Sequence, residues 1–311
     1  MTALGLGLAA LGRPGYITVG HARELAGDTS VEAMERRAHE VLDAAYAAGV
    51  RWFDTARSYG RGEAFLASWL TGRNIAPADV AVSSKWGYTY VADWHVGAQK
   101  HEVKSHDLAT LDRQIAESRA LLGDQLDLYQ IHSATLDSGV LDADDVLARL
   151  GELRDSGLPI GLSLSGPGQR ETLERALTVE VGGKPLFSAV QATWNLLERS
   201  VDPALRTAKH AGLRVLVKEA LANGRLAGAA APEALRAYAA SKGVGADAVA
   251  IAAALAQPFV DVVLSGAVTP VQLRANLRAL TVDGSEAALV LASLVESPQQ
   301  YWTERAGLPW N

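Results

Sequence analysis

The sequence predicts an α/β protein built as a single-domain, closed (β/α)8 TIM barrel, and three observations lead to this prediction. Short apolar segments rich in β-branched residues alternate with Ala- and Leu-rich segments of helical spacing. About eight such units follow one another, and no Pro/Gly/Ser-rich linker divides the 311 residues. Strict alternation indicates parallel strands with right-handed crossovers, and eight units close a barrel. Periodicity alone leaves an open, doubly wound sheet as the alternative.

The predicted strands are short hydrophobic runs, as expected for parallel strands that are buried on both faces. A first strand near residues 4–8 completes the set of eight. The others lie at 50–54, 80–84, 126–131, 160–163, 188–191, 213–217 and 260–264.

The segments between the strands have the spacing and the end signals of amphipathic helices. Thr29 and Glu32 form a possible capping box, apolar residues follow at helical spacing, and Gly49 stands where a C-terminal cap is expected. The same pattern recurs before Gly123 and before Gly157. We therefore predict one domain over residues 1–311, with a long loop at about 86–106 and a C-terminal tail at about 296–311.

Composition and charge exclude several classes of protein. Hydrophobic residues make up 49% and charged residues 21%, which is typical of globular chains and not of disordered ones. A formal net charge of -6 gives no basic footprint for nucleic acid or an anionic membrane, so neither partner is expected. Cysteine is absent, which excludes disulfides and thiolate chemistry and agrees with a cytoplasmic location. The apolar start of the chain lacks the basic region of a signal peptide, and no charge-free stretch is long enough to span a membrane.

Polar side chains stand at the ends of six predicted strands or directly after them. In a barrel of this type, catalytic groups lie at the carboxyl ends of the strands. Six polar residues on one rim are more than a purely structural barrel requires. They are Asp54, Lys85, His132, Ser163, Gln191 and Lys218.

Two other motifs are expected to be loops rather than sites. The run at residues 5–10 matches the loose glycine fingerprint for dinucleotides, but too little strand precedes it and Gly12-Arg13-Pro14-Gly15 follows where a helix should begin. The run at 101–106 resembles a zinc-protease helix, but its second histidine falls one place too late. No metal site is predicted.

Three residues at the ends of neighbouring strands and one in the loop after the first of them have the chemistry that carbonyl reduction needs. Hydride addition leaves an alkoxide that requires a proton, and Tyr59 is a candidate donor. A phenol titrates near ~10, and a neighbouring ammonium such as Lys85 lowers that pKa. Asp54 would hold the lysine, and His132 would orient the carbonyl oxygen or assist proton transfer.

The amino-acid sequences of several segments resemble those of the aldo-keto reductase superfamily. The matching pieces run through nearly the whole chain in the same order: 53–56, 59–60, 84–85, 127–132, 191–199 and 265–276. The resemblance implies a (β/α)8 barrel that binds NADP(H) without a Rossmann domain and acts on a small aldehyde, ketone or sugar. It also implies Tyr59 as the general acid/base, supported by Asp54, Lys85 and His132.

The resemblance also assigns the residues that would contact the cofactor. Ser163 and Gln191 would hold the nicotinamide carboxamide, and the segment from Lys218, with Leu221, Gly224 and Leu226, would follow the pyrophosphate. Departures occur at Leu164, where many members carry Asn, and at Lys218, where many place an aromatic ring. NADP is preferred over NAD because an arginine remains for a 2'-phosphate. The residues expected at the adenosine end are Gly266, Gln272, Arg274 and Asn276.

Aromatic residues on the rim are candidates for a substrate pocket, with simple packing as the alternative interpretation. Two further functions stay open: a Schiff-base lyase that uses Lys85 or Lys218, and a weakly catalytic cofactor-binding subunit. The sequence leaves the physiological substrate and the oligomeric state open. The predicted pocket residues are Trp86, Tyr88, Trp94 and Trp194.

Overall fold

Eight parallel strands close into a barrel in the computed structural model, which describes residues 3–18 and 27–310. Each strand pairs with the strands before and after it in the chain, and the first pairs with the last. This closure confirms the predicted (β/α)8 barrel and excludes the open sheet. The strands are β1 (Ala3–Gly7), β2 (Trp52–Asp54), β3 (Ala81–Trp86), β4 (Leu126–Ala134), β5 (Ile160–Leu164), β6 (Ala189–Thr193), β7 (Arg214–Lys218) and β8 (Val262–Ser265).

Helices surround the barrel and bury their apolar faces against the outer surface of the strands. None of the helices among residues 3–18 and 27–310 has the length and apolar character required to cross a membrane. They are α1 (Val31–Ala47), α2 (Gly62–Gly72), α3 (Leu108–Leu122), α4 (Asp144–Asp155), α5 (Gln169–Ala176), α6 (Asp202–His210), α7 (Glu233–Ser241), α8 (Ala246–Leu255), α9 (Pro270–Leu277), α10 (Gly284–Val290) and α11 (Pro298–Ala306).

The predicted helix ends are partly confirmed. Gly49 adopts φ +88°, and Gly123 and Gly157 also have positive φ, as glycines that end helices commonly do. The predicted capping box at the start of α1 is wrong, because the Ser30 hydroxyl, not that of Thr29, accepts from the amide of Ala33.

The barrel interior has an apolar layer below a polar one. Because side chains alternate along a strand, residues two apart face the same side. Trp52 is therefore followed on the inner face by Asp54, Leu128 by Gln130, and Ala189 by Gln191. The apolar layer closes the amino-terminal end of the interior, and the polar layer faces the carboxyl rim. The apolar layer consists of Trp52, Leu128, Ala189, Leu216, Val262 and Leu264.

Three segments meet above the carboxyl rim. Within the predicted loop at 86–106, Tyr88–Tyr90 and Glu102–Lys104 form an antiparallel hairpin. The predicted tail contains α11, which the Tyr301 hydroxyl anchors by accepting from Asn195 Nδ2 at 3.0 Å. Ile17 of the β1–α1 loop forms an antiparallel bridge with Trp310. That residues 1–311 form one domain stays a prediction.

The contact between α8 and α10 depends on a missing side chain at Gly284. A Cβ there would lie 1.9 Å from the carbonyl oxygen of Ala252 and 2.9 Å from the Cβ of Ala256. We predict that Gly284→Ala lowers the free energy of unfolding by about 1–3 kcal/mol, because the helices must move apart. Gly72→Ala is the control, since a Cβ at this helical position meets no atom within 4 Å. Equal unfolding midpoints in urea for the two variants would contradict the prediction.

Candidate active site

The carboxylate of Asp54 is the centre of the polar layer in the barrel. Its Oδ2 accepts from Lys85 Nζ at 2.5 Å, and its Oδ1 accepts from Ser83 Oγ at 2.7 Å and Gln191 Nε2 at 2.9 Å. Lys85 also donates to the carbonyl oxygen of Thr55 at 2.8 Å. Asp54 and Lys85 are 2% and 1% exposed. Such a buried ion pair holds its geometry because either charge alone would be strongly destabilising at this depth.

Tyr59 lies on the turn that follows β2, directly above this ion pair. Backbone bonds from Thr55 to Ser83 and from Arg57 to Lys85 carry the chain from β2 along β3 before the turn. The ring centroid of Tyr59 is 4.8 Å from Lys85 Nζ and 5.5 Å from the centroid of the His132 ring, which it meets edge-on. The fold thus brings together Asp54, Tyr59, Lys85 and His132.

The phenol and the imidazole of this group both favour their neutral forms. Burial, followed by the carboxylate of Asp54, raises the pKa of Tyr59 well above its ordinary value. Burial, followed by the charge of Lys85, lowers the pKa of His132 well below its ordinary value. The predicted lowering of the Tyr59 pKa is therefore wrong for the protein alone, because desolvation of the phenolate outweighs nearby positive charge. At neutral pH the site presents two uncharged groups that can each donate a hydrogen bond.

A cavity of about 580 Å³ opens at the carboxyl ends of the strands, where this fold is expected to hold its ligands. It runs from Tyr59 and His132 towards the start of α9. Twelve of the predicted site residues line it: Asp54, Tyr59, Tyr88, His132, Ser163, Gln191, Lys218, Leu221, Gly224, Gly266, Gln272 and Asn276.

Comparison with known proteins assigns the family. The sequence matches the pattern of the Aldo/keto reductase family over residues 3–290. The chain belongs to this family.

Named relatives and a solved structure agree with this assignment. An aldo-keto reductase of Emericella nidulans is 26% identical over 206 residues, 64% of this chain and 50% of that protein. A Saccharomyces cerevisiae protein whose name gives it as an aryl-alcohol dehydrogenase is 25% identical over 195 residues, 61% of this chain and 51% of that protein. The chain spans about half the length of these curated relatives. A Bacillus halodurans aldo-keto reductase in holo form shares the fold with a TM-score of 0.67 at 20% identity, covering 96% of this chain and 94% of that chain.

Three predicted pocket residues of this aldo/keto reductase do not line the cavity. Trp86 and Trp194 each follow an inward-facing residue by one position, so the strand alternation turns them into the surrounding core. Trp86 packs against His106 there, and Trp194 donates to Asp202. Trp94 donates to the carbonyl oxygen of Thr29 at 2.6 Å. Of the four predicted pocket residues, the structure therefore brings only Tyr88 to the cavity wall.

Three other predicted site residues also lie outside the cavity surface. Lys85 lies beneath Tyr59, where it contacts Asp54 rather than the cavity. Leu226 is fully buried in the core, so its side chain cannot contact a ligand. Arg274 is exposed on α9 between Gln272 and Asn276, which both line the cavity, but it does not line the cavity itself.

The sequence argument missed Arg305, Arg13 and Glu102 at the cavity mouth, and it paired Glu219 with Lys218, which lies 3.7 Å away, rather than with Arg305. Arg305 of α11 donates to both carboxylate oxygens of Glu219 at 2.5 to 3.0 Å, and Glu219 adopts φ +55° directly after β7. Arg13 pairs with Glu102 at 2.6 Å. The only signal in the sequence was Arg13 itself, a charge within an otherwise apolar stretch that we interpreted as a loop.

The cavity fits an extended dinucleotide. Its volume lies within the ~300–1,000 Å³ of small-molecule sites. Lys218 and Arg305 both line the cavity and would offer positive charge to a pyrophosphate. The amide oxygen of Asn223 is buried on the cavity wall without a donor among the described residues. Small residues at 227–230 leave room for close approach. No group of three His, Cys, Asp or Glu residues within 3–18 and 27–310 is arranged to hold a metal ion.

The Glu219–Arg305 pair has a predictable pH dependence. Although burial opposes it, Arg305 and then Lys218 lower the pKa of Glu219 from 4.5 to about 2. A carboxyl with a lowered folded-state pKa stabilises the fold above its unfolded pKa and loses this effect as pH falls through the folded value. We predict that Glu219→Gln lowers the free energy of unfolding by about 3 kcal/mol at neutral pH, since one pKa unit is ~1.4 kcal/mol.

The difference between Glu219→Gln and the wild type should shrink as the pH is lowered from 4.5 to about 2, as followed by urea unfolding. Glu286→Gln is the control, because Glu286 pairs with Lys242 on the exposed surface and should change stability little. A difference for Glu219→Gln that is independent of pH would mean that the carboxylate charge is not what stabilises the pair.

Proposed function

We propose that this aldo/keto reductase transfers a hydride between NADP(H) and a small aldehyde, ketone or sugar carbonyl, with Tyr59 as the general acid/base. The observation that carries the proposal is the placement of Tyr59 and His132 on the cavity wall directly above the Lys85–Asp54 pair. The four residue types are those that proton transfer to a reduced carbonyl requires. Family membership supports the same reaction.

The bound nicotinamide supplies or accepts the hydride, and the protein handles the proton. In reduction, Tyr59 donates its hydroxyl proton to the carbonyl oxygen, and the raised pKa keeps that proton in place at neutral pH. Neutral His132 donates a second hydrogen bond to the same oxygen. In oxidation Tyr59 must first be deprotonated, and its phenolate then accepts the alcohol proton. Asp54 holds Lys85 beneath the Tyr59 ring.

Polar side chains on β5 and β6 would hold the nicotinamide carboxamide. Ser163 Oγ already accepts from the amide of Ser133 at 2.8 Å, so its own proton is directed elsewhere. Gln191 donates to Asp54, and no described residue donates to its amide oxygen. This amide oxygen is therefore free to accept from a carboxamide. The segment after β7, with Lys218, Leu221 and Gly224, would follow the pyrophosphate.

The adenosine end supports NADP over NAD. Asn276 donates to Ser265 Oγ at 2.9 Å, and Gln272 accepts from the amide of Val268 at 2.8 Å, so both side chains hold the loop before α9 in shape. Among the described residues Arg274 makes no ion pair, which leaves its guanidinium for a 2'-phosphate.

Lys218 favours a second candidate, a Schiff-base lyase. Burial lowers its pKa to about 8 although Glu219 opposes this, and its amine lines the cavity. An amine with such a pKa is partly unprotonated and nucleophilic near neutral pH. Burial also lowers the pKa of Lys85, but Asp54 holds that amine away from the cavity, so Lys218 is the better candidate.

Removal of the Tyr59 hydroxyl tests the proposed proton donor. We predict that Tyr59→Phe reduces turnover by about 10²–10⁴-fold, because the alkoxide then lacks a positioned acid. NADPH and NADH oxidation are followed with benzaldehyde, glyceraldehyde and cyclohexanone. Cofactor binding, measured by fluorescence quenching, should persist.

Tyr129→Phe is the matched control, because Tyr129 is a buried tyrosine of β4 that faces away from the cavity. Full turnover in Tyr59→Phe would refute the assigned donor. Borohydride trapping of substrate on Lys218 would then support the lyase. Tight cofactor binding without turnover in the wild type would instead indicate a cofactor-binding subunit.

Cofactor choice is tested at Arg274. We predict that Arg274→Gln weakens NADPH binding by about tenfold, as expected for the loss of a charge-assisted hydrogen bond of ~1.4 kcal/mol. NADH binding should stay unchanged. Arg278→Gln is the control, since Arg278 donates to the carbonyl oxygen of Gly243 outside the cavity. Equal loss of both cofactors in Arg274→Gln would contradict the 2'-phosphate role.

A further inference from the structure

Arg13, in the loop after β1, is a buried cation at the active site to which the proposed mechanism gives no role. It is 3% exposed. Its guanidinium carbon lies 5.2 Å from the ring centroid of Tyr59, 5.4 Å from that of Tyr16 and 4.8 Å from that of Trp310. Burial of a charged group is costly unless partners compensate it. Its position against the reacting phenol therefore requires an explanation.

Three hydrogen bonds tie Arg13 to the elements around Tyr59. Its Nη1 donates to the carbonyl oxygen of Ser58, the residue before Tyr59, at 3.0 Å. The same nitrogen donates to Glu102 of the hairpin at 2.6 Å, and Nε donates to the carbonyl oxygen of Ala9 at 3.2 Å. Arg13 thereby fixes the backbone of the turn that carries Tyr59.

Two glycines allow the backbone of the Arg13 segment to lie in direct contact with the turn that carries Tyr59. The amide of Arg61 donates to the carbonyl oxygen of Gly12 at 2.7 Å. A Cβ on Gly12 would lie 2.2 Å from the carbonyl oxygen of Tyr59. Gly60 adopts φ +59°, and a Cβ there would lie 2.5 Å from the carbonyl oxygen of Gly12. This backbone contact is independent of the Arg13 side chain and fixes the distance between guanidinium and phenol.

We propose that Arg13 is a positioning residue for Tyr59, and that its positive charge stabilises the tyrosinate formed when Tyr59 releases its proton. Glu102, as the ion-pair partner, sets how much of this charge Tyr59 experiences. The inference rests on the proposed function of Tyr59 as the acid/base. It adds Arg13 to the electrostatic part that the sequence argument assigned to Lys85, whose Nζ lies 4.8 Å from the Tyr59 ring centroid.

The proton step shows why the charge matters. In reduction the hydride adds to the carbonyl carbon, and the O–H bond of Tyr59 breaks as its proton bonds to the carbonyl oxygen. The electron pair of that bond stays on the phenolate oxygen. In oxidation the phenolate takes the proton from the alcohol as the hydride leaves. Only the deprotonated Tyr59 carries a negative charge that Arg13 attracts. The cation therefore stabilises the tyrosinate that forms in reduction and the tyrosinate that acts as the base in oxidation.

Charged and titratable groups reach Tyr59 from every element around it. The carboxylates of Asp54, Glu102 and Glu219 raise its pKa, whereas Arg13 lowers it. Neutral His132 contributes its ring edge. Loss of the Arg13 charge should therefore raise the pKa of Tyr59, whereas loss of the Glu102 charge should lower it, although either change breaks the same ion pair. These groups are Asp54 on β2, Lys85 on β3, His132 on β4, Arg13 and Tyr16 after β1, Glu102 on the hairpin, and Glu219 after β7.

The test compares Arg13→Met with Glu102→Gln, because both remove the 2.6 Å ion pair. The assay follows kcat against pH for oxidation of the alcohol form of the best carbonyl in the panel. We expect the rise of kcat with pH to move upward by about one unit in Arg13→Met, the size an opposite charge within ~4–6 Å typically gives. Glu102→Gln should move it downward. Arg13→Lys should restore most of the wild-type profile because it keeps the charge.

Shifts of equal sign, or no shift in either variant, would overturn the inference and indicate that the ion pair is only structural. If Arg13→Met does not fold, as judged by circular dichroism, Glu102→Gln and Arg13→Lys still decide the result. In a Tyr59→Phe background, Arg13→Met should add little further loss, because there is no phenolate to stabilise. A large further loss would show that Arg13 acts on something other than Tyr59.

The same experiments separate this inference from the proposed function. Full turnover in Tyr59→Phe would refute the function of Tyr59, whatever Arg13 does. A loss of turnover in Tyr59→Phe, together with unshifted pH profiles in the two ion-pair variants, would refute only the role of Arg13.

Discussion

The ion pair between Lys85 and Asp54 is the interaction on which the rest of the site depends. It lies where the apolar filling of the barrel ends and the cavity begins, and the neighbouring strands turn polar there to satisfy it. Two charges at this depth are tolerated because each finds the other and several uncharged donors or acceptors. The pair therefore gives little net stability, but it determines where β2, β3 and β6 must stand relative to one another. This arrangement of strands determines where the side chains of Tyr59 and His132 lie.

Much of the fold and half of the site could be predicted from the sequence, because both follow from local patterns. Alternating strands and helices identify the barrel, and the period of two along each strand places Asp54, Lys85 and Gln191 on its inner face. The same period explains the failures at Trp86 and Trp194. Aromatic content suggested a pocket there, but the position next to an inward residue faces outward. Following the alternation of inward and outward positions along each strand would have placed both tryptophans outside the pocket.

Other parts of the site could not be predicted, because they depend on pairing across long stretches of sequence. Glu219 finds Arg305 and Arg13 finds Glu102 only after the barrel has closed. The sign of the Tyr59 pKa shift was missed for a related reason. A sequence shows which charged residues are present, but not how much water the fold removes around them. Desolvation outweighs a neighbouring cation here.

The bridge between Ile17 and Trp310 has a consequence for how the protein is made. The wall over the reacting end of the cavity joins one of the earliest loops of the chain to a residue near position 310. During synthesis the barrel strands can associate progressively, but this wall stays open until the ribosome has released that late segment. Contacts so distant in sequence also form slowly, since a long loop must close before they contribute. Binding competence is thus expected to follow the association of the barrel strands rather than to accompany it.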